Sequence, residues 1–168
     1  MVRFNWALKQ RNQLGMQRLL LLFLLFGGPS IIISAHYAQG VDDKNGIHFL
    51  ENKWSEAIKN GATEKKYIFL EFYASWCSPC RQLRRTTFQN KEVAAFFNQT
   101  FVNVALDVEK GDGATLAESM NVQAIPTLLI LSPNGKPVLK RVGYLGPDEL
   151  INFGKTAIHA KPGTLMSR

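Results

Sequence analysis

Cysteine and histidine are scarce in this sequence, which has two cysteines and three histidines among its 168 residues. A structural zinc site takes about four cysteine or histidine ligands in characteristic pairs, and no histidine here belongs to such a pair. The two cysteines, Cys77 and Cys80, are so close that a disulfide between them would constrain the unfolded chain very little. The sequence therefore predicts no metal site, disfavours a purely structural disulfide and favours redox chemistry at this pair.

Acidic residues are missing from the positively charged start of the chain, where Arg3, Lys9, Arg11 and Arg18 occur without a negative residue among them. Without these four residues, the formal net charge of +7 falls to +3 for the rest of the chain. A nucleic-acid-binding domain usually carries its basic residues as a patch on the folded part. We therefore expect no nucleic-acid partner.

Residues 19–35 form a hydrophobic run directly after those positive charges. A basic segment followed by an apolar one is typical of a secretory signal, so we expect the chain to be exported. Cleavage after Ala38 would leave His36 at a position that usually holds a small residue, so an uncleaved membrane anchor through residues 19–35 stays open. Because the run is short for a bilayer and a Gly-Gly-Pro sequence at 27–29 interrupts it, the cleaved signal is favoured.

Length and composition predict one compact domain, which we expect to be monomeric. A chain of this size has only a modest surplus beyond a single domain. Its 46% hydrophobic and 20% charged residues are ordinary for a globular protein. The predicted layout is a signal peptide or N-terminal membrane anchor at 1–38, a linker at 39–46, a folded domain at 47–160 and a C-terminal tail at 161–168.

Helical and extended patterns alternate through the folded domain. The predicted order is a helix at 48–60 that Gly61 ends, a strand at 67–73, helices at 79–85 and 91–98 with Asn90 as a cap, a strand at 101–108, a loop at 111–113, a helix at 114–120, strands at 127–131 and 138–142, and a helix at 147–158. This order predicts an α/β fold with a central mixed β-sheet and helices on both faces. Helical crossovers would join its parallel part, and an antiparallel hairpin would end it.

The cysteine pair falls between the strand at 67–73 and the helix at 79–85. Unpaired backbone N–H groups and the helix dipole stabilise an anion at a helix start, so the thiolate of Cys77 is favoured there. Cys77 is therefore predicted to attack a substrate disulfide, and Cys80, one helical turn further on, to attack the mixed disulfide that forms. Pro79 suits the first turn of this helix, because its missing N–H costs no hydrogen bond there.

Two segments carry a resemblance to a known family. Residues 69–80, FLEFYASWCSPC, resemble the active-site strand and turn of thioredoxins, and residues 124–131, AIPTLLIL, are similar to their cis-proline segment. The hairpin and the last helix follow in the order of that fold. The resemblance implies the thioredoxin fold and thiol-disulfide oxidoreductase activity, with the Cys77–Cys80 disulfide as the redox centre and no other cofactor. Residues 84–88 and 90–93 are more similar to exported thioredoxin-like domains, including periplasmic reductase domains of transmembrane disulfide-reducing proteins, than to cytosolic thioredoxin.

The resemblance also implies roles for residues beside the cysteines. Pro126 matches the proline that follows a cis peptide bond, which implies that the backbone of Ile125 pairs with an extended substrate segment. Trp76 matches the aromatic residue beside the nucleophile, which shapes the rim of the site. Plainer interpretations stay open, namely a loop proline ahead of a strand at position 126 and a core tryptophan at position 76.

Glu71 occupies the place where thioredoxins carry a buried acid behind the second cysteine. Burial would raise the pKa of its carboxyl and let it take the proton of Cys80 as a general base. The sequence departs from the cytosolic pattern here, because that family has an aspartate and a lysine on the next strand, where this chain has Asn103. The alternative is an edge residue whose carboxylate reaches solvent.

These observations together predict a protein-disulfide reductase that works outside the cytoplasm, in the periplasm or another extracytoplasmic place. Pro79 before the second cysteine is similar to reducing members of the superfamily rather than to oxidants or isomerases. The expected partners are protein thiols and disulfides and an upstream electron donor. Other possibilities stay open: a dedicated reductase such as one for cytochrome c maturation, a disulfide oxidase or isomerase, and a binding module that uses the fold without turnover.

Overall fold

The computed structural model describes residues 45–160 and the backbone of residues 166–167. In this part of the chain the strands are β1 (Leu50–Glu51), β2 (Tyr67–Tyr73), β3 (Phe101–Asp107), β4 (Thr127–Leu131), β5 (Pro137–Val142) and β6 (Met166–Ser167). They form one sheet in the order β1-β3-β2-β4-β5-β6. The pairs β1–β3, β3–β2 and β5–β6 are parallel, and the pairs β2–β4 and β4–β5 are antiparallel, so the sheet is mixed as predicted.

Strand β2 lies inside the sheet because both of its faces are apolar. Phe69 and Leu70 point to opposite faces and are both fully buried. Tyr67 pairs with Phe101 of β3, and Phe69 pairs with Ile130 of β4. The strands predicted at 67–73 and 127–131 are confirmed with these bounds.

Helices cover both faces of the sheet. They are α1 (Trp54–Glu64), α2 (Ser78–Arg85), α3 (Lys91–Thr100), α4 (Gly111–Ser119) and α5 (Pro147–His159), with a 3-10 turn at Thr87–Gln89. Phe69 belongs to the core under α2, α3 and α5, whereas Leu70 belongs to the opposite core under α1 and α4. Asn90 caps α3 as predicted, because its side-chain oxygen accepts bonds from the amides of Glu92 (3.0 Å) and Val93 (3.1 Å).

The first helix starts later than the predicted residue 48. Residues ahead of Trp54 are not helical, and Leu50–Glu51 pairs with β3 as a short parallel edge strand. The amide of Asn52 continues this pairing by donating to the carbonyl of Ala105 at 2.8 Å. The apolar spacing that predicted one helix face instead divides between two cores, since Phe49 packs in one of them and Trp54 in the other.

Gly61 does not end the first helix, which continues to Glu64. The left-handed residue at its end is Lys65, with a φ of 54°. A Cβ on Gly61 would lie 2.8 Å from Cγ1 of Ile68, so the glycine allows α1 to approach β2 closely. Close packing, rather than chain termination, explains this glycine.

Helix α4 begins at Gly111, so the loop predicted at 111–113 is wrong. Gly113 lies buried in the first turn of α4, where a Cβ would overlap the backbone carbonyl oxygen of Asp107. Only a residue without a Cβ lets the helix start this close to the end of β3. The glycine-rich run therefore serves packing rather than flexibility.

Replacing Gly113 by alanine is expected to lower the free energy of unfolding by about 1–3 kcal/mol, as overpacking does when the neighbour cannot move aside. Urea unfolding of the oxidised protein measures this. Gly146→Ala is the matched control, because a Cβ there meets nothing closer than Glu149 Oε2 at 3.5 Å. Equal stability losses in both variants would contradict the packing argument.

The predicted signal peptide or anchor at 1–38 and all but the end of the predicted linker at 39–46 lie outside the described residues. The same holds for the predicted tail at 161–168, apart from the backbone of residues 166–167. Among the described residues, no helix is long and apolar enough to cross a membrane.

Candidate active site

The two cysteines lie where β2 passes into α2. Cys77 is the N-cap residue of α2, and the amide of Cys80 donates to its Sγ at 3.2 Å. The pair forms a disulfide with the two Cα atoms 5.3 Å apart. Pro79 lies in the first turn of α2. In the reduced protein, a thiolate at Cys77 would face the N–H groups at this helix start, which stabilise negative charge.

The disulfide is sheltered from solvent. Cys77 is 3% exposed and Cys80 is 1% exposed, and both pack with Ala74 in a small apolar cluster. Its partly buried neighbours come from three segments: Tyr73 at the end of β2, Val108 after β3 and Ile125 before β4. The ends of three neighbouring strands thus meet at the disulfide.

The peptide bond between Ile125 and Pro126 is cis. Pro126 is buried directly before β4, whereas Ile125 is half-buried and packs against the cysteine cluster. The carbonyl of Pro126 accepts a bond from the amide of Gly143 at 2.8 Å. This bond ties the proline segment to the end of β5, so the loop beside the disulfide has a fixed position.

Trp76 is a surface residue rather than a core tryptophan. Its side chain is 64% exposed, and its indole Nε1 donates to Oε1 of Glu109 at 3.0 Å. Trp76 directly precedes Cys77, and its partner Glu109 directly follows Val108 of the apolar cluster.

Glu71 is fully buried, so the interpretation as an edge residue in contact with solvent is wrong. Its Oε2 accepts a hydrogen bond from Nε of Arg84 at 3.1 Å and lies 3.0 Å from Nη2 in an ion pair, whereas Oε1 has no hydrogen-bond partner. Burial raises the pKa of the Glu71 carboxyl to about 7, although the charge and hydrogen bonds of Arg84 act in the opposite direction. Near neutral pH this carboxyl is therefore poised between its two protonation states.

Arg84, rather than Asn103, is the charged or polar neighbour of Glu71. The strand register puts Ala105 opposite Glu71. The side-chain amide of Asn103 donates instead to the carbonyl of Phe97 (3.4 Å) and to Oδ1 of Asn98 (3.2 Å). Sequence reasoning did not single out Arg84. The available signal was its spacing of four residues from Cys80, which places both side chains on one face of α2.

Known proteins resemble this chain in sequence. The sequence model of the thioredoxin-like domain matches residues 54–158. This chain belongs to the thioredoxin-like family. Thioredoxin H-type of Fagopyrum esculentum is 33% identical over 108 residues, which cover 64% of this chain and 84% of that protein.

Two further relatives of this thioredoxin-like chain come from bacteria. A solution structure from Bacteroides thetaiotaomicron, provisionally named a disulphide-isomerase, has a TM-score of 0.62 and 36% identity, covering 70% of this chain and 97% of that one. The thiol:disulfide interchange protein DsbD of Campylobacter jejuni is 26% identical over 129 residues, which cover 76% of this chain and 23% of DsbD. The similarity to DsbD thus concerns less than a quarter of that protein.

The predicted family, the α/β thioredoxin fold and the class of activity are confirmed. The protein is a thiol-disulfide oxidoreductase whose cysteine pair forms a disulfide in the fold shared by its relatives. Its relatives imply protein thiols and disulfides as reaction partners. Among the described residues, no group of three or more His, Cys, Asp or Glu side chains is arranged to hold a metal ion.

The buried carboxyl of Glu71 predicts how the stability of this thioredoxin-like protein depends on pH. Its folded pKa of about 7 exceeds the ordinary value of 4.5. Below pH 4.5 the group is protonated in both states, and between these values the unfolded chain releases the proton while the folded one keeps it. Stability should therefore fall as the pH rises from 4.5 to about 7, by roughly 3 kcal/mol from this group.

Urea unfolding of the oxidised protein between pH 4.5 and pH 8 measures this dependence, with Glu71→Gln as the comparison. The variant lacks the titrating group, so its stability should change less across that range. Parallel pH profiles for the two proteins would show that Glu71 keeps an ordinary pKa in the folded state.

Proposed function

We propose that this thioredoxin-like enzyme reduces protein disulfides outside the cytoplasm, with electrons that an upstream donor delivers to Cys77 and Cys80. The observation that carries the proposal is the Cys77–Cys80 disulfide at the start of α2 with Pro79 between the cysteines, a turn similar to that of reducing thioredoxins. The basic start of the chain and the hydrophobic run at 19–35 support export. Similarity to DsbD, a thiol:disulfide interchange protein, supports electron exchange with other protein thiols.

The reaction proceeds by two thiol-disulfide exchanges. The thiolate of Cys77 attacks one sulfur of the substrate disulfide, forms a mixed disulfide and expels the other substrate sulfur as a thiolate. The thiolate of Cys80 then attacks Sγ of Cys77, which releases the second substrate thiolate and leaves the Cys77–Cys80 disulfide. Two electrons have passed to the substrate, and the upstream donor restores the dithiol. The disulfide itself is the redox group, so no further cofactor takes part.

Glu71 is the general base of the second exchange. Cys80 must lose its proton before it attacks, and both Cys80 and the Arg84 that binds Glu71 project from the same face of α2. A carboxyl with a pKa of about 7 accepts a proton near neutral pH and gives it up again in the next cycle. The free oxygen Oε1 is the acceptor that remains after Arg84 has bound Oε2.

The substrate docks on exposed apolar side chains around the disulfide. In the described part of the chain, the large hydrophobic residues with high exposure are Trp76, Val142 and Tyr144. The amide of Gly143, between the latter two, donates to the carbonyl of Pro126, which brings the end of β5 to the proline segment. Trp76 directly precedes Cys77 in the chain. Trp76 and Val142 form a rim on which a protein segment binds, whereas the hydroxyl of Tyr144 meets Thr86 and Thr87 past the other end of α2.

Backbone pairing fixes the direction of the bound segment. Ile125 packs against the cysteines, and the residue after it, Pro126, has no N–H group. An extended substrate therefore pairs its own backbone with that of Ile125, next to the sulfur atoms. This recognition does not depend on the sequence of the substrate, which suits an enzyme that acts on several protein disulfides.

Two measurements test the location and the direction of electron flow. The reporter is a phosphatase that is active only after export. A fusion of residues 1–46 to this phosphatase should show phosphatase activity, whereas a fusion whose segment begins at residue 39 should show none. Rapid acid quenching and thiol alkylation should find Cys77 and Cys80 mostly reduced in cells. Equal phosphatase activity from the two fusions, or a mostly oxidised pair, would overturn the corresponding half of the proposal.

Disulfide isomerisation is the second candidate. The Bacteroides thetaiotaomicron structure with the provisional isomerase name is 36% identical and supports it. An isomerase needs a reduced Cys77 but tolerates the loss of Cys80, because its substrate supplies the second thiol. The Cys80→Ser variant is mixed with an inactive test protein whose disulfides have been scrambled. If the variant restores the activity of that test protein, isomerisation is favoured over reduction.

A further inference from the structure

Arg84 joins two carboxylates that differ completely in their exposure to solvent. Its Nε donates to Oε2 of Glu71 at 3.1 Å, and its Nη2 lies 3.0 Å from the same oxygen in an ion pair. Its Nη1 donates to Oε1 of Glu51 at 2.8 Å. The Glu71 side chain is 0% exposed, whereas that of Glu51 is 46% exposed. The guanidinium thus lies between the buried acid and the surface.

Aromatic rings and a second hydrogen bond hold this arginine in place. The guanidinium carbon of Arg84 lies 4.1 Å from the ring centre of Tyr73 and 5.6 Å from that of Phe49. The hydroxyl of Tyr73 donates to Oε2 of Glu51 at 3.3 Å. Glu51, on the edge strand β1, therefore anchors both the arginine and the tyrosine beside it.

A cavity of about 180 Å³ opens beside the ion pair. Its lining includes both Glu51 and Arg84, together with Ile47, Phe49, Phe88 and Gln89. Solvent reaches the outer carboxylate and the guanidinium from this side, whereas Oε1 of Glu71 stays buried. The carboxylate of Glu51 also acts on Glu71 directly, because its negative charge raises the pKa of the Glu71 carboxyl.

We propose that Arg84, anchored by Glu51, is a positioning residue for the resolving step, the second exchange in which Cys80 attacks the mixed disulfide. Arg84 holds Oε2 of Glu71 and leaves Oε1 as the oxygen that takes the proton of Cys80. The proposal rests on the proposed role of Glu71 as general base. Arg84 favours the ionised form of Glu71, and Glu51 opposes it through charge repulsion. The two surface-side residues therefore tune the acid in opposite directions.

Among the described residues around Glu71, Arg84 and Glu51 are the charged groups that shift the pKa of its carboxyl. On the neighbouring strands, the residues paired with Glu71 are the apolar Ala105 and Leu128. On its own strand, Tyr73 carries no charge near neutral pH, since its pKa is raised by burial and by Glu51. Asp107, which pairs with Tyr73, is bound to Lys110 at 2.9 Å. Helix α2 supplies Arg84, the cation that contacts Glu71.

Opposite shifts of one titration distinguish this role from a merely structural one. Carboxyl-carbon NMR of the oxidised protein follows Glu71 directly, because its cysteines do not titrate. Arg84→Gln should raise the midpoint of Glu71 by about one pH unit or more, since it removes the cation. Glu51→Gln should lower that midpoint, since it removes the repelling charge and leaves the cation. Arg84→Lys keeps the positive charge but lacks the planar guanidinium group. Its Glu71 midpoint should therefore lie between those of the wild type and Arg84→Gln.

Matched controls use neighbouring charges that do not contact Glu71. Arg85→Gln removes the exposed arginine next in the chain, and Glu56→Gln removes an exposed glutamate that pairs with Lys53. Neither should move the midpoint. Shifts in the same direction for Arg84→Gln and Glu51→Gln, or no shift in either, would overturn the proposal. If Arg84→Gln does not fold, the smaller upward shift in Arg84→Lys still decides the matter, and an unchanged midpoint in Arg84→Lys would overturn the proposal.

The rate of the resolving step separates this proposal from the one it rests on. The rate at which a peptide is released from its mixed disulfide with Cys77 is measured against pH. In each variant, the midpoint of this rate profile should shift together with the titration midpoint of the Glu71 carboxyl. If the carboxyl midpoints move as expected while the release profiles stay unchanged, Arg84 does position Glu71 but Glu71 is not the base. If neither moves, the positioning role itself is wrong.

Discussion

Replacing Cys77 by serine is expected to lower disulfide reduction by at least about a thousandfold, because the nucleophile that opens the substrate is lost. Replacing Cys80 by serine is expected to have a different result. The Cys77 thiolate still attacks at the start of α2, but no second thiol resolves the product, so the mixed disulfide with the substrate accumulates. The two variants are thus expected to fail at different steps of the reaction, although the two cysteines form one disulfide.

Reduction of a fluorescently labelled peptide disulfide measures the first effect, and intact-protein mass spectrometry of the quenched reaction detects the trapped product of the second. Ser78→Ala is the control, because Ser78 lies exposed between the cysteines and has no role in the account. Turnover by Cys77→Ser at a wild-type rate would mean that Cys77 is not the nucleophile. Unchanged partner binding and an unchanged cellular phenotype in this variant would instead favour a binding module. A trapped product in Cys77→Ser instead of Cys80→Ser would reverse the two roles.

Replacing Glu71 by glutamine is expected to slow release of the substrate from Cys77 by about a hundredfold near neutral pH, because general-base catalysis contributes at least this much. Glutamine preserves the shape of the side chain and still accepts a hydrogen bond from Arg84, but it takes no proton. The first attack by Cys77 does not use Glu71, so its rate should change much less. A stopped-flow experiment that resolves the two exchanges measures both rates in one reaction.

Thermal and urea unfolding of Glu71→Gln control for damage to the fold. The effect should shrink as the pH rises, because a thiol that ionises on its own needs no base. Equal slowing of both exchanges at all pH values would point to misplaced cysteines. An unchanged release rate would leave Glu71 as a structural acid.

The sheet was the most predictable part of the fold. The runs at 67–73 and 127–131 are apolar on both faces, so their bounds follow from local sequence, and the Asn90 cap follows from side-chain chemistry. The errors come from tertiary contacts. Gly61 and Gly113 face Ile68 and the Asp107 carbonyl, respectively, and no local pattern distinguishes such a packing glycine from a helix stop or a loop.

The site residues that could be predicted are those that lie in or beside a recognisable sequence motif. Cys77 and Cys80 are identified by spacing and by the strand before them, whereas Arg84 and Glu51 are 33 residues apart and meet only when β1 pairs with β3. The short strand at Leu50–Glu51 is too small to carry its own pattern. The surface carboxylate that anchors Arg84 therefore depends on a short strand that the sequence did not reveal.

The redox equilibrium of the Cys77–Cys80 pair tests the central claim most directly. The purified protein is equilibrated with glutathione and then dithiothreitol buffers, and the fraction of reduced cysteine is counted by alkylation and mass spectrometry. The account predicts a single reversible two-electron transition at a low potential, close to about −270 mV as in thioredoxin. A cysteine pair that forms no reversible disulfide under any of these buffers would contradict the assignment of this protein as a thiol-disulfide oxidoreductase.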